Sequence, residues 1–122
     1  MSISETNIQN SFFHPPLKFP QAEDGIIDLR KIETDIIVKI NFMGKAEGQT
    51  IYIPAIWYAK LYPKVDMEFG FFMVSKSADE QEFIINPRNF DRFSETGVVV
   101  IYYYLKDEEK LSQPTIIGVI KA

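Results

Sequence analysis

Few side chains in this sequence of 122 residues can do chemistry, and their spacing limits what that chemistry is. His14 is the one histidine, and there is no cysteine. A Ser-His-Asp or Cys-His machine would have to run through His14. The following Pro15 and Pro16 hold it in extended chain, away from the convergent groups that catalysis requires. It therefore reads as an ordinary surface histidine. One imidazole and no thiolate also make a poor transition-metal site. Two acidic clusters remain: Glu23, Asp24 and Asp28, then Asp107, Glu108 and Glu109. Calcium needs roughly six to eight oxygens on a shaped loop, and neither cluster has EF-hand spacing. Both read as solvated turns. No two carboxylates select themselves as a glycosidase pair. The expectation is a non-enzyme with no catalytic residue, no metal ligand and no cofactor.

The aromatic residues are more informative. Ten Phe, six Tyr and one Trp make up 14% of the chain, and most sit among β-branched residues, which favours strands. Trp57, Tyr58 and Tyr62 fall in one segment, and Tyr102, Tyr103 and Tyr104 in another. Phe12 and Phe13 close a polar N-terminal stretch. Core or sheet-surface packing competes with binding for all of them. Rigid aromatic rings on a surface give a large contact area at low entropy cost. Phe12, Phe13, Trp57, Tyr58, Tyr62, Tyr102 and Tyr104 are therefore the candidate binding residues. The partner expected is protein, with sugar rings as the alternative.

The elements that must position these residues are strands. Ile36, Val38, Ile40 and Phe42 alternate with polar neighbours, the period of a half-buried strand. Ile26 to Leu29, Gln49 to Pro54, Glu82 to Asn86 and Thr115 to Lys121 read as further strands. Met67 to Lys76 reads as one with Met67, Phe69, Phe71 and Met73 on a common face. Val98 to Leu105 is apolar throughout and reads as a central strand. Ala55 to Pro63 fits either a strand or a helical turn. Pro87 to Glu95 reads as one short helical or 3₁₀ turn, with Pro87 at its start and Gly97 ending it. Lys106 to Ser112 is a charged hairpin loop. Seven or eight short antiparallel strands with turns between them make an all-β sandwich or barrel.

Composition sets the remaining bounds. The length fits one domain with a full core. Net charge is −4, from 13 basic and 17 acidic residues, and no basic stripe is present. A nucleic acid partner is therefore not expected. No apolar run is long enough for a membrane-spanning helix, so no membrane insertion is expected. The N-terminus has neither the basic nor the apolar region of a signal peptide. A complete small protein made in the cytoplasm is the expectation, with export by another route open. Residues 1–14 read as an N-terminal arm and 15–122 as the domain. Ile3, Ile8, Phe12 and Phe13 dot that arm, and it is expected to dock on a second copy at a sheet edge, giving a homo-oligomer.

From Gly25 onward the order of signals resembles the immunoglobulin-like (Ig-like) repeat domain of large bacterial surface proteins. The matching pieces are Gly25-Ile26-Ile27-Asp28-Leu29, Asp35 to Phe42 and Gly48-Gln49-Thr50-Ile51-Tyr52-Ile53. They continue with Phe83-Ile84-Ile85-Asn86-Pro87, Gly97 to Leu105, and Leu111-Ser112-Gln113-Pro114 leading into Thr115 to Ile120. The family's Trp would fall near Ala55, two residues before Trp57, and Asn86 is an extra residue before Pro87. The resemblance covers about residues 15–122. It implies an Ig-like sandwich used as a spacer, adhesin or interaction module, and carries over no catalytic residue. It also implies that Tyr103 or Tyr104 forms a tyrosine corner by bonding nearby backbone. The expected function is a non-enzymatic binding or self-assembly module. The alternative is a small carbohydrate-binding protein using surface aromatics, with calcium held by an acidic loop.

Overall fold

The structure is a computed structural model that describes residues 13–60, 63–75 and 80–121. These residues form an all-β architecture with eight strands in two sheets. The strands are β1 (Ile26–Asp28), β2 (Ile36–Ile40), β3 (Thr50–Tyr58), β4 (Val65–Met73), β5 (Gln81–Ile85), β6 (Gly97–Ile101), β7 (Tyr104–Leu105) and β8 (Thr115–Ile120). The larger sheet runs β1-β8-β6-β3-β4, with β7 paired to β3. The smaller sheet is the antiparallel pair β2-β5. Every strand pair is antiparallel except β1 with β8, so the expectation of an all-antiparallel arrangement fails there. The chain crosses to the smaller sheet after β1, and β8 returns alongside it in the same direction.

Alternation decides which side chains enter the core. On β2, Ile36, Val38 and Ile40 are buried while Ile37 and Lys39 are not, as the period-two pattern requires. On β3, Ile51, Ile53, Ala55 and Trp57 point inward. The segment with two readings, Ala55 onward, is thus the second half of one strand. Pro54 sits within it even though β3 has neighbours on both sides. A register shift between Tyr52 and Pro54 makes room for a residue that cannot donate to the ladder. The partner strand supplies the extra residue around Gly70, whose φ is +89°. That bulge splits the expected common face of β4. Met67 is buried and Phe69 half-buried, whereas Phe71 and Met73 lie outside.

Trp57 anchors the inner face. Its ring stacks on Phe93 at 4.4 Å and tilts against Phe90 at 5.6 Å. Both Phe residues come from the β5–β6 connection, which starts with the 3₁₀ turn Pro87–Phe90, capped by the Asn86 carboxamide. The expected short turn is present there. Gly97, however, does not end it. Gly97 opens β6, and a Cβ placed on it would lie 2.3 Å from the Trp57 ring. Only a hydrogen fits under the indole. Gly97→Ala is therefore expected to destabilise the fold by about 1–3 kcal/mol through overpacking. Urea unfolding followed by fluorescence of the single Trp reads the loss directly, and an unchanged midpoint refutes this packing.

Candidate functional site

Two regions gather the residues with functional potential. The first lies where the N-terminal segment meets the β7–β8 loop. His14 is not a surface histidine; its relative exposure is 7%. Its backbone donates to Leu111 O and accepts from Gln113 N, which fixes it beside the loop. Its ring lies 5.0 Å from Phe42 and stacks at 5.9 Å on Tyr103. Nε2 sits 3.2 Å from Glu108 Oε1. The residues that bury it come from 42 and from 103–113, so nothing near His14 in sequence signals its environment. The Tyr103 hydroxyl donates to Pro15 O at 2.7 Å. This replaces the expected tyrosine corner, because the bond spans 88 residues instead of reaching nearby backbone. Tyr104 lies on the opposite side, half-buried.

This cluster holds residue types familiar from hydrolases, but their atoms are committed elsewhere. The Ser112 hydroxyl accepts from Tyr103 N and donates to Gln113 O. Glu108 engages His14, and His14 borders an open hollow of about 460 Å³ beside Lys110 and Met43. In the other acidic cluster Asp28 is similarly occupied. Both carboxylate oxygens of Asp28 accept from Arg30, at 2.9 and 2.8 Å, and the guanidinium holds Asp28 down at about 2. Among the described residues no group of three or more His, Cys, Asp and Glu gathers to hold a metal ion.

The second region is the outer face of the larger sheet. On β3 the outward residues are Thr50, Tyr52, Pro54, Ile56 and Tyr58; on β6 they are Val98 and Val100; on β8, Ile116, Gly118 and Ile120. None is charged. Cross-strand register brings Ile56, Val100 and Ile116 into one row, and Tyr58, Val98, Gly118 and Ile26 into the next. Tyr52 stacks on Tyr104 at 5.3 Å and touches Phe71 at 5.8 Å, extending the surface towards β4. Asp66 and Glu68 on β4 border it at one side, and Asp28 at the other. The smaller sheet is the contrast, because Lys39 pairs with Glu82 on its outer face at 3.6 Å. An antiparallel sheet with one wet face normally carries polar residues there, and a contiguous apolar patch marks a contact surface.

The candidate binding residues divide between these places. Tyr58 is exposed on the outer face, and Tyr102 and Tyr104 are half-buried along the same stretch of chain. Trp57 is a correction: it is fully buried, because its position on β3 is an inward one. Phe13 is 40% exposed beside the His14 hollow. Phe12 and Tyr62 lie outside the described residues, as do Ile3 and Ile8. Sequence reading missed Ile56, Val98, Val100 and Ile116, although two-sided hydrophobicity was visible in Val98 to Leu105. The run reads as a strand covered on both faces, yet Val98 stands on the open one. No helix among the described residues is long and apolar enough to cross a membrane. No protein-family model matches the chain, and no curated protein matches it.

His14 gives this region a pH dependence. Burial pushes the imidazole below its ordinary 6.5; the Glu108 bond opposes this, and Lys110 adds to it. As pH falls below 6.5 the unfolded chain takes the proton first. Stability held by neutral His14 is complete above that value and is lost as pH drops through the lower folded value. Urea midpoints at pH 7.5 and 5 are expected to differ in the wild type and to converge in His14→Gln. Equal slopes in the two proteins refute the assignment. In the same measurement at neutral pH, Tyr103→Phe is expected to cost about 1 kcal/mol for the lost hydrogen bond to Pro15.

Proposed function

We propose that this chain is a non-enzymatic Ig-like module that binds protein through the outer face of its larger sheet. Several features support the Ig-like reading. The order β1-β8-β6-β3-β4 faces a β2-β5 pair, and a core Trp stands on β3, two residues after the position at which the family would carry one. The sequence resemblance over residues 15–122 points the same way. The observation that carries the binding reading is the absence of any charged side chain among the ten outward residues of β3, β6 and β8. Water solvates such a face poorly, so covering it with another apolar surface is favourable by about 25 cal/mol per Å². The non-enzymatic reading rests on the committed Ser112 hydroxyl and the ring-shielded His14. Sugar stacking fits less well. Tyr52 and Tyr104 turn their ring faces towards each other, which leaves less open ring surface for a pyranose.

The chain has no cysteine, so a single introduced thiol can carry a photo-crosslinker. Ile116 and Ile84 are matched probes, 63% and 62% exposed on the outer faces of the larger and smaller sheets. Ile116→Cys labelled with a benzophenone maleimide is expected to form covalent protein adducts in an extract of the source cells. Ile84→Cys, labelled identically, is expected to form few. Equal yields at both positions, or none at either, overturn the reading. A glycan array hit lost on Tyr52→Ala would favour the carbohydrate alternative instead.

A further inference from the structure

We infer that the partner of this face is a second copy of the same chain, docked face to face about a two-fold axis through the Ile56–Val100–Ile116 row. The inference rests on the reading that this face is the working surface, and it names the occupant. Charge is the first argument. A partner chosen by electrostatics needs complementary charges, and the centre of this face has none to offer. An uncharged apolar surface is complementary to itself, which is what an isologous contact requires. The chain carries a net charge of −4, so two copies repel weakly at long range. The flanking carboxylates stand at the two margins, Asp66 and Glu68 on β4, and Asp28, Glu23 and Asp24 around β1. There they remain hydrated when the centres meet, as the polar rim of an interface does.

Area is the second argument. The sheet is five strands wide along its main path. At about 4.8 Å between strands, and about 3.4 Å per residue over roughly six residues, the face measures on the order of 20 by 24 Å. Two such faces in contact remove about 1,000 Å² from water, the lower end of what a specific protein–protein interface needs. A reversible dimer is the outcome such an area supports. Ile116 stands proud beside Val100 in the central row, 63% exposed. The contact is placed on the sheet, so residues 2–12 are not needed for it.

Sedimentation equilibrium on the full chain, from about 1 µM to several hundred µM, tests this. The expected result is a monomer–dimer equilibrium. Ile116→Lys and Ile56→Lys are expected to weaken it by about 30-fold or more, as at the centre of an interface. Ile84→Lys and deletion of residues 2–12 are expected to leave it unchanged. Circular dichroism establishes that each variant is folded, and Ile116→Lys alters an exposed position. A wild type that stays monomeric throughout overturns the inference. So does a dimer insensitive to both lysine substitutions, or one lost on deletion of residues 2–12. The benzophenone-labelled Ile116→Cys protein separates this failure from failure of the binding reading. Self-adducts of twice the chain mass support the dimer. Adducts only with a different protein overturn the dimer and leave the binding reading standing. No adducts at all remove both.

Discussion

The two sheets are joined by a segment that belongs to neither. Between His14 and Phe19 the chain pairs with the β7–β8 loop through His14 and with β2 through two backbone bonds between Lys18 and Lys39. On the way it buries Leu17 and Phe19, and Leu17 O accepts from the Thr115 hydroxyl of β8. An isolated two-stranded sheet is marginal in water. The β2-β5 pair therefore depends on being held against its larger neighbour, and this strap supplies backbone hydrogen bonds across the seam where side-chain packing alone would permit sliding. The His14 ring and the Tyr103 hydroxyl secure the end of the strap that carries the least apolar area.

The two faces of the larger sheet differ in what covers them. The inner one is filled by Trp57, Val99, Ile101, Ile117 and Val119, and it ends the accounting of the core. The outer one repeats nearly the same chemistry, with nothing among the described residues to cover it. A sheet apolar on both sides is the pattern of a buried middle layer. Here the third layer is absent from the described residues, which is why the functional reading falls on this surface and not on the hollow beside His14.

Much of the fold was legible because its signals are local. The alternation in Asp35 to Phe42 survives intact in β2, and the Asn86–Pro87 step marks its 3₁₀ turn through a side-chain cap and a fixed φ. The misreadings share a different cause. Gly97 reads as a helix stop, but its reason is an indole contributed by Trp57 from another strand. His14 reads as exposed because the atoms that bury it come from distant residues. The β4 face reads as continuous because one residue inserted near Gly70 reverses every side chain after it. The aromatic residues stand out as a group in the sequence, but their division between core and surface follows strand parity. Parity placed Trp57 and Tyr58 on opposite sides although they are adjacent.

The bulge at Gly70 also bears on how large an assembly can grow. Among the described residues β4 is the long margin of the larger sheet, and at its opposite margin β1 has only three residues. A kinked, locally overtwisted edge is a poor template for another strand, and a three-residue edge offers too few pairing groups. Ladder extension from chain to chain is therefore disfavoured along the sheet. Contact through a face would use that face up, so an assembly built on it would stop at a finite particle. The same sticky composition on a straight edge would propagate without limit, as a fibre.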